Sequence, residues 1–222
     1  MKLKTIMIAL SSSPVLLFAN IEGKPQNTHN VPSGFFMSAA GGAAQTQSYY
    51  EDSWVTIWGN TSQNITFPTQ NKGAANVSLG YQWGFGQSNT WKNIYTGVSL
   101  NYYYFGKAID PNASNYSNGQ VVKTEYTQLN GGTVEGFVGM YLSSPLSAEL
   151  GLGVGAAADG QGALGIFKFK LAYDITPGFS IFAQYISAGF TTFGFVPFGF
   201  ANAVVNSGIS VDSEQVGIRY VF

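Results

Sequence analysis

The sequence predicts a single eight-stranded antiparallel β-barrel that spans a membrane as an up-and-down meander. Three observations predict it. Only 9% of the 222 residues are Asp, Glu, Lys or Arg, against about 25% in soluble domains. No uncharged apolar run is long enough for a membrane helix, which needs about 20 such residues. Segment after segment alternates apolar and polar residues, the period of a strand with one face toward lipid. Disorder is excluded by the same composition, since 15% of the chain is aromatic and disordered chains combine high charge with few aromatics.

The N-terminal segment reads as an export signal. Lys2 and Lys4 precede a largely apolar stretch from Thr5 to Ala19, interrupted by Ser11–Ser13 and Pro14. Such a segment is too short for a span and fits a secretory signal peptide, residues 1–19, cut near Ala19. Residues 20–33 are polar, contain Pro25 and Pro32, and read as a periplasmic leader; residues 34–222 are the barrel. Without its two lysines, the exported chain has 8 basic against 11 acidic residues, a net charge of −3. No basic patch for nucleic acid is expected. The chain has no cysteine, so no disulfide or cysteine-linked lipid anchor is expected.

The strands follow in order. The first is placed at about Gly34–Gln47, with its phase undecided. The second sets Val77, Leu79, Tyr81, Trp83 and Phe85 against Asn76, Ser78, Gly80 and Gln82. The third sets Ile94, Val98, Leu100, Tyr102 and Tyr104 against Gly97, Ser99 and Asn101. The fourth opposes Val134, Val138, Met140 and Leu142 to Thr133, Glu135 and Gly139. In the fifth, Leu150, Leu152 and Val154 oppose Glu149, Gly151 and Gly153, the glycines leaving room for bulkier neighbours. The sixth sets Phe167, Phe169, Leu171 and Tyr173 against Lys168, Lys170 and Asp174. The seventh, about Phe179–Phe190, is again undecided in phase, and the eighth opposes Val216, Ile218, Tyr220 and Phe222 to Gln215, Gly217 and Arg219.

Connections alternate in length. Gln87–Lys92, Ser143–Leu146 and Ile175–Gly178 are short, whereas Ser48–Asn71, Gly106–Gln120 and Thr191–Ile209 read as long loops; Ala158–Gly162 is the brief exception. Short periplasmic turns and longer outer loops are the asymmetry of an outer-membrane barrel. A soluble β-sandwich would alternate too, but with far more surface Lys and Glu. Tyr102–Phe105 at one end, and Tyr81, Trp83, Phe85, Tyr220 and Phe222 at the other, read as interfacial aromatic girdles.

Two stretches carry a family likeness. Gly217-Ile218-Arg219-Tyr220-Val221-Phe222 resembles the C-terminal strand signal of bacterial outer-membrane proteins. That resemblance implies that Ile218, Tyr220 and Phe222 are read by the barrel-assembly machinery. Tyr173–Ile181 is similar to the sixth-to-seventh strand hairpin of small OmpA-like and OmpX-like barrels, a porin-like class. The sequence ends on the last strand, so the wall-tethering domain of full-length OmpA-type proteins is not expected.

The charges within strands share the polar phase. A Lys or Arg on the lipid face near mid-membrane costs about 2–4 kcal/mol, so Glu135, Glu149, Lys168, Lys170 and Arg219 are expected in the lumen. The expectation is an ion-pair network, Glu135 and Glu149 with Lys168 and Lys170, that plugs the barrel. It serves either packing and register or a gate for small solutes. An eight-stranded lumen is usually filled by side chains.

His29, the sole histidine, lies in the leader. A histidine base inside the barrel is excluded, and with it the histidine-dependent hydrolases; no catalytic residue is assigned. Metal sites lack their usual His and Cys ligands, and no metal or cofactor is expected. Asn-x-Ser/Thr triplets such as Asn60-Thr61-Ser62 read as loop composition.

Two outer segments are unusually apolar: Trp54 and Trp58 in one, and Phe193, Phe195, Phe198 and Phe200 in the other. Loops normally favour polar turn residues. The segments are either strand extensions packed on each other or a contact patch. Two functions remain open. One is a cell-surface structural or interaction protein, adhesin-like, in a Gram-negative outer membrane, with lipid, lipopolysaccharide and a host or cell-surface partner around it. The other is transport, as a narrow porin or an OmpW-like conduit for small or hydrophobic solutes.

Overall fold

A computed structural model describes residues 33–56, 59–85, 93–117, 120–143, 145–158, 162–198 and 201–222, with backbone alone at 52–56, 59–63, 115–117, 120–121, 192–198 and 201–206. The signal peptide and most of the leader lie outside these residues. The described residues form nine strands: β1 (Gly34–Thr56), β2 (Gly59–Thr66), β3 (Gln70–Gly84), β4 (Ile94–Ser117), β5 (Gln120–Ser143), β6 (Leu146–Ala157), β7 (Ala163–Thr176), β8 (Phe179–Phe198) and β9 (Ala201–Val221). Every pairing is antiparallel, and β1 pairs with β9 from Phe36↔Val221 to Thr56↔Ala201, which closes the sheet into a ring.

The ring has eight members because β2 and β3 are two halves of one barrel strand. Both pair with β1, β2 through Tyr49↔Thr66 and β3 through Thr46↔Gln70. Three steps on β1 therefore face four steps on the partner, a bulge at residues 67–69. Pro68 sits there, and proline has no N–H to give a ladder. Phe67 N–H still donates to Ser48 O at 2.9 Å, so the chain stays attached through the bulge.

The stagger of the barrel can be read from the register. Register partners lead from Phe36 through Gly80, Ser99, Glu135, Gly153, Ile166, Ala188 and Val211 to Thr46. The circuit returns to β1 ten residues higher (46 − 36 = 10). A shear of this size tilts the strands and leaves a bore that side chains can fill.

One face of each strand carries the lipid-compatible belt. Leu79, Leu100, Val134, Leu152, Phe169 and Ile218 all point outward and are exposed. Tyr81, Trp83, Tyr220 and Phe222 border the belt at the end where the short turns lie, and Tyr220 and Phe222 meet edge to face at 5.0 Å. At the opposite border Tyr102 and Tyr104 are exposed, and Tyr185 donates to Asp212 at 2.5 Å. The girdle assignment needs one correction. Tyr103 and Phe105 alternate with Tyr102 and Tyr104, so they face inward and are fully buried.

A second correction concerns the long loops. Most of Ser48–Asn71, Gly106–Gln120 and Thr191–Ile209 is strand. Strands β1, β4, β5, β8 and β9 run 23, 24, 24, 20 and 21 residues, about twice the 9–11 that cross a bilayer. These segments show little alternation because they stand above the lipid, where neither face must be apolar. Strands β6 and β7 have only 12 and 14 residues. Their ladders stop at Gly131↔Ala157 and Ala163↔Thr191, so the outer rim drops to a notch at this hairpin.

The lumen is stacked in three layers. Phe36, Tyr95 and Phe137 form an aromatic floor near the turns. Polar and charged side chains occupy the middle. Tyr103, Phe105, Leu129, Leu164, Ile186, Phe190 and Ile209 belong to an apolar cluster above. That cluster lies on the phase that is polar lower down, which is why β8 gave no decisive alternation.

Replacing Leu152 by Arg, in the middle of the belt, is expected to lower stability by about 2–4 kcal/mol. Urea titration of the barrel folded into lipid vesicles measures the loss.

Candidate functional site

The middle layer of the lumen is a connected set of charges. Glu135 stands on β5, opposite Gly153 of β6. A methyl group at Gly153 would lie 2.3 Å from Glu135 Cγ, so the glycine is what lets the carboxylate lean across β6 toward β7. There Lys168 Nζ donates to Oε2 at 2.5 Å. The other oxygen accepts from Tyr103 Oη at 2.5 Å and Thr133 Oγ1 at 3.0 Å. Both carboxylate oxygens are thus satisfied, as a fully buried charge requires.

Glu149 anchors the second group. Lys170 is its ladder partner on β7 and donates to Oε1 at 2.8 Å. Arg219, on β9, crosses the lumen and donates through Nη1 to Oε2 at 2.8 Å. Its Nη2 donates to Gln82 of β3. The guanidinium lies over the Phe36 ring at 4.1 Å and near Phe137 at 5.6 Å. A planar, weakly hydrated cation suits this combination of fork and stack better than lysine would.

A neutral bridge completes the layer. Gln184 of β8 donates to Asn76 of β3 at 2.7 Å and to Gln215 of β9 at 2.9 Å. Near the floor, Tyr141 donates to Asp174 at 2.8 Å. Around this layer three acids, Glu135, Glu149 and Asp174, stand with three bases, Lys168, Lys170 and Arg219. Beneath Arg219 a cavity of about 20 Å³ is lined by Gln82, Tyr95, Tyr141 and Asp174, room for about one water.

The structure therefore brings together Glu135 with Lys168, and Glu149 with Lys170 and Arg219. Sequence reasoning did not single out Gln82, Asn76, Gln184, Gln215 or Tyr103. The first four share the inward phase with the charges, and Tyr103 shares that of Ser99 and Asn101; this was the available signal. The apolar outer residues are reached less far. Trp58 and Phe200 lie outside the described residues, and Trp54, Phe193, Phe195 and Phe198 are described by backbone alone. Register places their segments on neighbouring strands: Ala203 of β9 pairs with Trp54 on one side and Val196 on the other. Ile218, Tyr220 and Phe222 point outward.

A closed eight-strand wall, an apolar belt and a lumen filled by paired charges together make this a small membrane-spanning β-barrel. No protein-family model and no curated protein matches the chain. Among solved structures it is similar to the Neisserial surface protein A, at 12% identity over 82% of this chain and 99% of that one, with a TM-score of 0.38. A Pseudomonas aeruginosa FadL homologue is similar at 12% identity over 72% of this chain and 38% of that one, TM-score 0.34. The NanC porin is similar at 12% identity over 84% and 100%, TM-score 0.30.

Lys168→Met leaves Glu135 buried without its cation and is expected to cost about 3–5 kcal/mol. Adding Glu135→Gln to that variant restores most of the loss. Urea unfolding of both variants in detergent micelles checks the pair.

Proposed function

We propose that the protein is a non-enzymatic outer-membrane barrel that works at the cell surface, through the part of its wall that rises beyond the bilayer. The observation that carries this reading is a contrast along the axis. Five strands continue about twice as far as a bilayer requires, while the lumen below them is filled by interlocked side chains. Material is invested in an outward projection rather than in a bore.

The partners follow from the surfaces. The belt meets lipid, with lipopolysaccharide around the outer border. The terminal strand, with Ile218, Tyr220 and Phe222 aligned outward, suits reading by the barrel-assembly machinery. A host or cell-surface partner would meet the upper ends of β1, β2, β8 and β9, where Trp54, Phe193, Phe195 and Phe198 are gathered by register. The charge layer acts here as packing and register, not as a gate.

Replacing residues 193–206 by a short Gly-Ser turn is expected to abolish adhesion of expressing cells to cultured cells, with the barrel still assembled. In planar bilayers the unmodified protein is expected to give no discrete conductance steps, and Lys168→Met the same. Steps that vanish or change with Lys168→Met would replace this reading with a narrow porin. Uptake of hydrophobic compounds that falls with the 193–206 replacement, adhesion being unchanged, would replace it with a conduit.

A further inference from the structure

We propose that a cleft in the barrel wall between β3 and β4 binds the phosphate of an outer-leaflet glycolipid. The cleft has a local cause. The β3–β4 ladder runs up to Ala75↔Tyr104 and ends there. Two residues on, Gly106 adopts φ +80°, a conformation that side chains with a Cβ rarely take. The register of β4 with β5 shifts between Tyr104 and Lys107, so β4 bulges at the point where it parts from β3. Higher up the two sides meet again, through Ile65, Phe67 and Ile109 and a hydrogen bond from Ser48 to Ile109 O at 2.6 Å.

The open hollow left on the outer face here holds about 380 Å³ and is lined by Gly42, Lys72, Gly73, Ala74, Ala75, Tyr104, Gly106 and Lys107. Small residues make its back, and two cations stand on its sides. The stem of Lys72 lies across Gly106, where an added methyl would be 2.6 Å from Lys72 Cβ. Lys107 is the next residue of β4. Both lysines are exposed, and among the described residues neither forms an ion pair. Two nearby acids have partners of their own: Glu125 pairs with Lys123, and Asp110 accepts from the backbone N–H groups of Asn112 and Ala113 at 2.9 and 3.2 Å.

Two like charges on the sides of one cleft repel. An anion placed between them converts that repulsion into attraction. The level of the cleft selects the source of the anion. Tyr104 belongs to the outer girdle, which lies at the headgroups, so the lysines sit at or just above the edge of the hydrocarbon. A phosphorylated glycolipid would place its acyl chains on the belt below, against Val77 and Tyr102, and its phosphate in the cleft. A soluble phosphate would gain only the second contact. The inference rests on the placement of the barrel in the outer membrane.

The test uses the full chain in neutral detergent micelles, titrated calorimetrically with three probes: bisphosphorylated lipid A, lipid A stripped of its phosphates, and inorganic pyrophosphate. Bisphosphorylated lipid A is expected to bind, about tenfold more weakly for each of Lys72→Met and Lys107→Met, and more weakly still for both together. Lys72→Arg with Lys107→Arg retains most of the binding. The Met variants remove mutual repulsion and are expected to fold, which heat-modifiable gel mobility verifies. Unchanged binding in the double Met variant, or equal binding of phosphate-free lipid A, overturns the proposal. Pyrophosphate binding as tightly as lipid A overturns the lipid source. Failure of the chain to insert into vesicles overturns the placement, and the proposal with it.

Discussion

Everything in this molecule depends on the ladder between β1 and β9. Inside a bilayer no water is available to an unpaired N–H or C=O, so a sheet can cross only if its first and last strands meet. Here they meet over nearly the whole of β1, from Phe36 to Thr56. Closure fixes the stagger, and the stagger decides which side chains meet across the bore. A slip of one residue in any strand would turn its lipid face inward and its lumen face outward. For β7 that would carry Lys168 and Lys170 into hydrocarbon.

The charged layer is best understood against that threat. Buried ion pairs contribute little net stability compared with a well-packed apolar core, because desolvation offsets their attraction. They do discriminate sharply between registers. Glu135 reaches Lys168 only by leaning across Gly153, and Arg219 reaches Glu149 and Gln82 only across the lumen. A shifted strand would leave several of these charges without partners at once. The apolar cluster above and the aromatic floor below supply the packing that the middle layer does not.

Strand phase and the inward direction of the charges were legible in the sequence, because lipid enforces strict alternation on each segment that crosses it. Val77 to Phe85 and Val216 to Phe222 state their outward face without ambiguity. The pairing partners of Glu149 were legible only in part. Lys170 follows from the meander, but Arg219 comes from across the ring, and only the stagger brings it there. The upper strands were not legible because the rule that reveals strands stops at the membrane border. Beyond it, residues such as Lys107, Asp110, Glu125 and Gln128 pair as well as any others while carrying no periodic signal. Nor did the inward phase of β8 announce itself, since Gln184 and Ile186 share it at adjacent levels, one in the polar layer and one in the apolar layer.

The short β6–β7 hairpin has a consequence for how the molecule presents itself. A barrel in a bilayer is free to spin about its axis, and a mouth of even height would look the same from every bearing. This one has a low side where β6 ends at Ala157 and β7 begins at Ala163, and a tall side built by β8, β9, β1 and β2. It therefore has a front and a back within the plane of the membrane. An approaching molecule meets a palisade from one quarter and a doorway from the other, and two such barrels side by side would differ according to which quarters they turned toward each other.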